Sequence, residues 1–193
     1  ALVACVAALA AGLGRLSSLW PVRSLSVVYI ELFRGTSLLV QLYWIFFVLP
    51  LFGISLPKFE AGFLSVGLNV GAYGAEIVRG AIQAVPRGQW EAGYALSMSP
   101  AKRMRRIILP QALVLMLPPW GNLMIELLKG SALVALIAVP DLMFVAKQIN
   151  GATFRSAEAF GAALLVYYLL ARVLITPAMR GLERAMARRL GRA

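Results

Sequence analysis

Residues 79–110, RGAIQAVPRGQWEAGYALSMSPAKRMRRIILP, are the one long polar excursion in an otherwise apolar chain, and they separate two apolar runs at 61–78 and 112–128. From Arg87 to Leu96 the stretch fits a short helix on which Trp90, Tyr94 and Ala95 share a face at helical spacing. Ser99 followed by Pro100 reads as an N-cap and a first helical residue, so a second helix is expected through AKRMRRIIL toward the next apolar run. Pro110 removes a backbone hydrogen bond and is expected to bend the chain there. Helix, sharp turn and helix make the outline of a docking element, although a basic loop beside an apolar run can also serve topology alone.

The rest of the chain explains where such a loop would project. Of 193 residues, 61% are hydrophobic and 14% charged, with a mean hydropathy of +0.80. Soluble domains are about half apolar and about a quarter charged, so a bilayer is the expected solvent. Apolar stretches at 1–14, 38–52, 61–78, 112–128 and 157–175 read as five transmembrane helices, with a further apolar patch at 132–139. An open strand edge is not tolerated in lipid, which makes all of them helices. The first run falls short of a hydrocarbon core of about 30 Å and reads as a truncated helix. It does not read as a signal peptide, because no positive residue precedes it. Gly67, Gly71, Ala72 and Gly74 are small enough for close helix packing. The expected fold is a single all-α transmembrane domain over 1–193, with a loop at 79–110 and a basic tail at 177–193.

Charge sets the orientation. One set of connecting segments holds Arg15, Arg23, Arg34, Arg79, Arg87, Lys102, Arg103, Arg105, Arg106, Arg180, Arg184, Arg188, Arg189 and Arg192, and the alternate set holds only Lys58, Lys147 and Arg155. That bias puts the 79–110 loop and the tail in the cytoplasm and the N-terminus outside. The amphipathic tail GLERAMARRLGRA is expected to lie against anionic headgroups. The net charge of +11 does not read as nucleic-acid binding, since the arginines sit between apolar runs without interleaved stacking aromatics. A single cysteine, Cys5, and no histidine leave no disulfide framework, no metal-ligand cluster and no common general base.

Polar groups inside spans cost roughly 2.5–3.5 kcal/mol each when charged, so each calls for a partner or a task. Gln41, Asn69, Tyr73, Glu76, Asn122, Glu126, Lys129 and Ser131 are the candidates. Asn69, Tyr73 and Glu76 share one helix face, and Asn122, Glu126 and Lys129 repeat that spacing on the fourth span. Two such stripes, if they face each other, line a polar path, and carboxylate and ammonium groups together suit a zwitterion. Glu76 beside Arg79 and Glu126 beside Lys129 can equally be structural ion pairs. Gly130 and Pro140 are expected to break KGSALVALIAVPDL into a segment that borders a cavity. Glu31 and Glu183 lie off this path, on the inner side, with no motif around them.

EAGYALSMSPAKRMRRIILP resembles the EAA loop of ABC-importer permeases, whose pattern is EAA, three residues, Gly, nine residues, Ile, one residue, Leu-Pro. Glu91, Ala92, Ile107, Leu109 and Pro110 match, whereas Gly93 replaces the second Ala and Ser97 the Gly. YIELFRGTSLLVQL, GAYGAEIVRGAIQAVPRGQ, LPQALVLMLPPWGN and LLKGSALVALIAVPDL extend the resemblance to the polar amino acid branch, and PPWGNLMIELLKGSALVALI is most similar to permeases for ectoine and hydroxyectoine. The resemblance implies a type I importer permease in a bacterial inner membrane. Its partners would be an ABC ATPase dimer, a second copy or a homologous permease, and an extracytoplasmic solute-binding protein. Trp90, Glu91, Ala92, Gly93, Tyr94 and Ser97 would then couple to the ATPase, and Asn69, Tyr73, Glu76, Asn122, Glu126, Lys129 and Ser131 would line the substrate path. No cofactor is expected on this chain. It lacks a GxxxxGK[ST] loop, so ATP and Mg belong to the partner. A proton-coupled secondary transporter or channel would show inverted repeats or a titratable relay, and a membrane enzyme would show clustered His, Asp or Cys; neither pattern is present.

Overall fold

The computed structural model describes residues 1–189, and among these the regular structure is all helical. Its organising contact is between α1 (Leu2–Arg15) and α4 (Lys58–Gln83). A Cβ placed on Gly67 would lie 2.8 Å from Val3 Cβ, one on Gly71 2.7 Å from Ala7 Cβ, and one on Gly74 2.7 Å from Ala8 Cβ. The paired numbers rise together, so the two helices run parallel. Their backbones approach this closely because both faces are built of small residues at helical spacing, the association mode open to helices in lipid.

α2 (Trp20–Gly35) returns antiparallel to both. Its Ser26 meets Gly14, Ile30 is buried with Ala11 and Ala75, and Tyr29 Oη donates to Leu68 O at 2.6 Å. At residues 35–37 the chain turns through 107° into α3 (Leu38–Tyr43), which continues as a π turn and a 3-10 turn to Phe52. The expected plain span over 38–52 is therefore corrected: the apolar unit is the bent pair Trp20–Gly35 and Leu38–Phe52. Arg23, Glu31 and Arg34 on α2 interrupt its apolar pattern and disguise it as a connecting segment.

Beyond α4 come α5 (Arg87–Ala95), α6 (Pro100–Arg103), a π turn at Met104–Ile108, and α7 (Leu109–Ser131). Pro100–Ile137 is one continuous helical unit of 38 residues, so the chain passes Pro110 without a break. The wider π turn just before the proline accommodates the missing donor. Gly130 lies within α7, and the helix runs on as a 3-10 turn over Ala132–Ile137; the break comes at Ala138, which is left-handed with φ 57°, followed by Pro140. α7 is antiparallel to α4: Ile108, Ala112 and Met116 pack with Val78, Ile82 and Val85, and Leu123 packs with Val66 and Val70.

α8 (Leu142–Thr153) is capped by Asp141, whose Oδ1 accepts from Phe144 N–H at 2.8 Å. α9 (Ser156–Leu169), a π turn at Leu170–Ile175 and α10 (Thr176–Arg189) follow, and Ser156–Arg188 forms one helix of 33 residues. The basic stretch from 177 is thus the end of the last rod, packed on α7 through Met179 at Gly121, rather than a separate helix; residues 190–193 of that tail lie outside those described. Among the described residues three helices are long and apolar enough to cross a membrane, or four with the bent pair as one, while α1 at 14 residues is shorter than a span. On length alone, therefore, the expected five spans are not reached.

Candidate functional site

The 79–110 loop is built as a helix, a left-handed turn and a capped second helix. Ser97 has φ 50°, its N–H donates to Tyr94 O at 2.8 Å, and Met98 N–H donates to Gly93 O at 3.0 Å. These are the paired bonds of a Schellman C-cap, with Ser97 in the position that glycine usually takes. Ser99 Oγ then accepts from Lys102 N–H at 3.4 Å, with Pro100 as the first helical residue. Gln111 Nε2 donates to Gln89 Oε1 at 2.9 Å and ties α5 to α7.

Trp90, Tyr94 and Ala95 of α5 differ in burial. Trp90 and Gly93 face the bundle, whereas Ala95 is exposed and Tyr94 is 65% exposed. Gly93 is buried because Arg103 fills the space above it: a Cβ there would lie 2.5 Å from Arg103 Cδ. The Arg103 side chain is buried, with its guanidinium carbon 3.6 Å from the Tyr94 ring centroid and 5.7 Å from that of Trp90. Glu91 and Ala92 are exposed beside Tyr94 and Leu96, so the outward surface of α5 is mixed polar and apolar. The Gly93 and Arg103 contact has no cue in the sequence, since glycine carries no periodic signal.

The embedded polar groups divide into separate places. Asn69 Nδ2 donates to Phe33 O at 3.1 Å and to Gln41 Oε1 at 3.0 Å, and Gln41 Nε2 donates to Phe33 O at 2.9 Å and to Thr36 Oγ1 at 2.7 Å. Both amides therefore serve the backbone freed at the break between α2 and α3, as an interrupted helix in lipid requires. Tyr73, 41% exposed, lies under Arg34, whose guanidinium carbon is 5.4 Å from the ring centroid. Glu76 pairs with Arg15 of α1 and, at 2.8 Å, with Arg79. On α7, Glu126 and Lys129 pair at 2.8 Å and are exposed, and Ser131 Oγ donates to Leu128 O at 2.7 Å. Asn122 borders a cavity of about 270 Å³ together with Thr176, Arg180 and Glu183. No hydrogen bond or ion pair among the described residues joins the α4 stripe to the α7 stripe. Glu183, read as isolated, shares the Asn122 cavity, and Arg34, read as lying in a basic connecting segment, stands beside the middle of α4. No group of three or more acidic or cysteine side chains among the described residues is placed to hold a metal.

A family model for the inner membrane component of binding-protein-dependent transport systems matches residues 4–188. The chain belongs to that family of permeases. The permease is 47% identical over 175 residues to the probable amino-acid ABC transporter permease protein y4tF of Sinorhizobium fredii, covering 88% of this chain and 74% of that one. It is 40% identical over 168 residues to the L-cystine transport system permease protein TcyB of Bacillus subtilis, with 85% and 67% covered. With the glutamine transport system permease protein GlnP of Escherichia coli it shares 37% identity over 183 residues, covering 94% and 83%. Among solved structures, a crystal structure of an amino acid ABC transporter with histidines superposes with a TM-score of 0.87 at 38% identity, covering 95% of this chain and 86% of that one. The MetNI methionine ABC transporter, at 21% identity and a TM-score of 0.79, shares the fold. The architecture is the type I ABC permease fold, and the permease is a transport component rather than an enzyme. Membership implies ATPase and binding-protein partners in general terms.

Proposed function

We propose that this permease carries a polar amino acid inward across a bacterial inner membrane, driven by a separate ATPase that docks on α5. The observation that carries the reading is the loop itself: an exposed helix closed by a left-handed turn at Ser97 and braced on α7 through Gln89, Trp90 and Arg103. Such a helix, moved by closure of a partner, pushes on the lead-in to α7 rather than flexing alone. Five spans with the N-terminal end outside complete the proposal. A second copy or a homologous permease, a solute-binding protein, and ATP with Mg held by the ATPase are the proposed companions. The names of the relatives support an amino acid, and the block 118–137 supports ectoine or hydroxyectoine as a narrower alternative.

The test is uptake and ATP hydrolysis by the reconstituted complex with its cognate binding protein, offered glutamine, cystine, arginine, histidine, ectoine and hydroxyectoine. At least one amino acid should stimulate hydrolysis and accumulate. Glu91→Lys should abolish accumulation while the permease still folds. Uptake by the permease alone, or normal uptake by the Glu91→Lys variant, refutes the proposal.

A further inference from the structure

α4 carries no charge between Glu60 and Glu76, a stretch of roughly 22 Å at about 1.5 Å per residue. Two charges of α2 lie alongside that stretch. The carbonyl of Phe33 is bonded by Asn69, near its centre, which sets the neighbouring Arg34 at the same depth. Ile30 is buried against Ala75, so Glu31 stands between that level and Arg34. Both side chains are exposed on the surface of this chain, and Glu31 has no ion-pair or hydrogen-bond partner among the described residues. Arg34 contacts the half-open Tyr73 ring; the carboxylate of Glu76 is near enough to feel its charge but lies beyond ion-pairing distance. An exposed charge at this depth cannot face lipid cheaply, so the face that bears the two must look onto a polar space.

A second, independent feature lies next to them. The helix ends at Gly35, one residue past Arg34, and the chain turns through 107° before α3. Broken helices at membrane depth are tolerated where they border a cavity, and in transporters they lie at solute sites. Glu31 and Arg34 are one turn apart on the same side of α2, so an anionic and a cationic group open together beside a helix break.

Resting on the amino acid reading above, we propose that Glu31, Arg34 and Tyr73 form a membrane-embedded site for the backbone end of a zwitterionic solute. The Arg34 guanidinium takes the α-carboxylate, Glu31 takes the α-ammonium, and the exposed Tyr73 ring borders the space beneath. Such a site reads the group common to amino acids and leaves side-chain selection to other surfaces.

The test uses the whole complex in nanodiscs without binding protein, and the best-transported amino acid from the uptake panel together with its α-amide and its Nα-acetyl derivative. Equilibrium binding to the wild type should favour the free amino acid over each derivative by about 10- to 100-fold, as expected for charge-assisted hydrogen bonds. Arg34→Gln should bind the amino acid and its α-amide equally, while Glu31→Gln should erase only the preference over the Nα-acetyl form. Arg34→Lys should keep part of the carboxylate preference. If both variants retain the wild-type preferences, or if they fall apart into single permeases on size exclusion, the charges serve the subunit contact and the site assignment is wrong. Absence of uptake for every panel member would overturn the amino acid reading itself and the site with it.

Discussion

At the scale of single residues, Gly93 and Ser97 shape the loop in different ways. Gly93 leaves room for the Arg103 stem, whose Cδ and Cγ lie 2.5 and 2.7 Å from the site of a Cβ. These are the inner atoms of the side chain, so a methyl cannot be met by a small swing of its tip. Gly93→Ala should therefore destabilise the loop by about 1–3 kcal/mol, an overpacking cost. Adding Arg103→Ala should restore much of it, because the stem is then gone. Thermal unfolding of the purified variants, followed by loss of monodisperse protein, checks both. If Gly93→Ala is neutral alone, the two residues are not packed as described. Ser97 is simpler: its local hydrogen bonds hold it at φ 50°, a conformation glycine adopts at lower cost.

At the scale of elements, the break between α2 and α3 depends on two amides that share their work. Asn69 and Gln41 both donate to Phe33 O, and Asn69 also donates to Gln41 Oε1. Either single alanine variant leaves Phe33 O one donor, so each should cost only about 1 kcal/mol. The double variant leaves that part-buried carbonyl without either donor and should cost more than the sum, with a coupling of about 0.5–3 kcal/mol in thermal or denaturant unfolding. Strict additivity would show that the amides act apart. This element also marks where sequence reading fails. The loop helices were legible, since Ser99 and Pro100 signal a helix start locally and the 61–78 and 112–128 runs signal spans by composition. α2 was not legible. Its buried face of Ser26 and Ile30 is narrow, and Arg23, Glu31 and Arg34 give it the composition of a connecting segment. Asn69, by contrast, carries a visible signal as an amide inside an apolar run, but only the fold reveals that its partner is a freed carbonyl. Neither helix periodicity nor charge counting encodes a turn of 107°.

At the scale of the whole molecule, the helices divide the chain's connections between two ends. α1 and α4 run parallel, α2 and α7 run against them, and the 84–108 connection emerges at the same end as Arg15, Arg79 and the α10 terminus. The opposite end holds residues 53–57, Lys58, Lys147 and Arg155. Moving Arg34 from the basic end to mid-depth trims the charge bias without reversing it, because Lys102, Arg103, Arg105 and Arg106 alone outnumber the basic residues at the other end. Short loops rich in Lys and Arg are retained on the cytoplasmic side during insertion. In a Cys5→Ser background, Ser55→Cys and Ala95→Cys place single thiols at the two ends, both at exposed positions. In right-side-out vesicles a membrane-impermeant maleimide should label Ser55→Cys directly and Ala95→Cys only after permeabilisation. Labelling in the reverse order would put α5 on the side where no ATPase can reach it, and the basic end of the bundle would then have crossed the membrane against its charge.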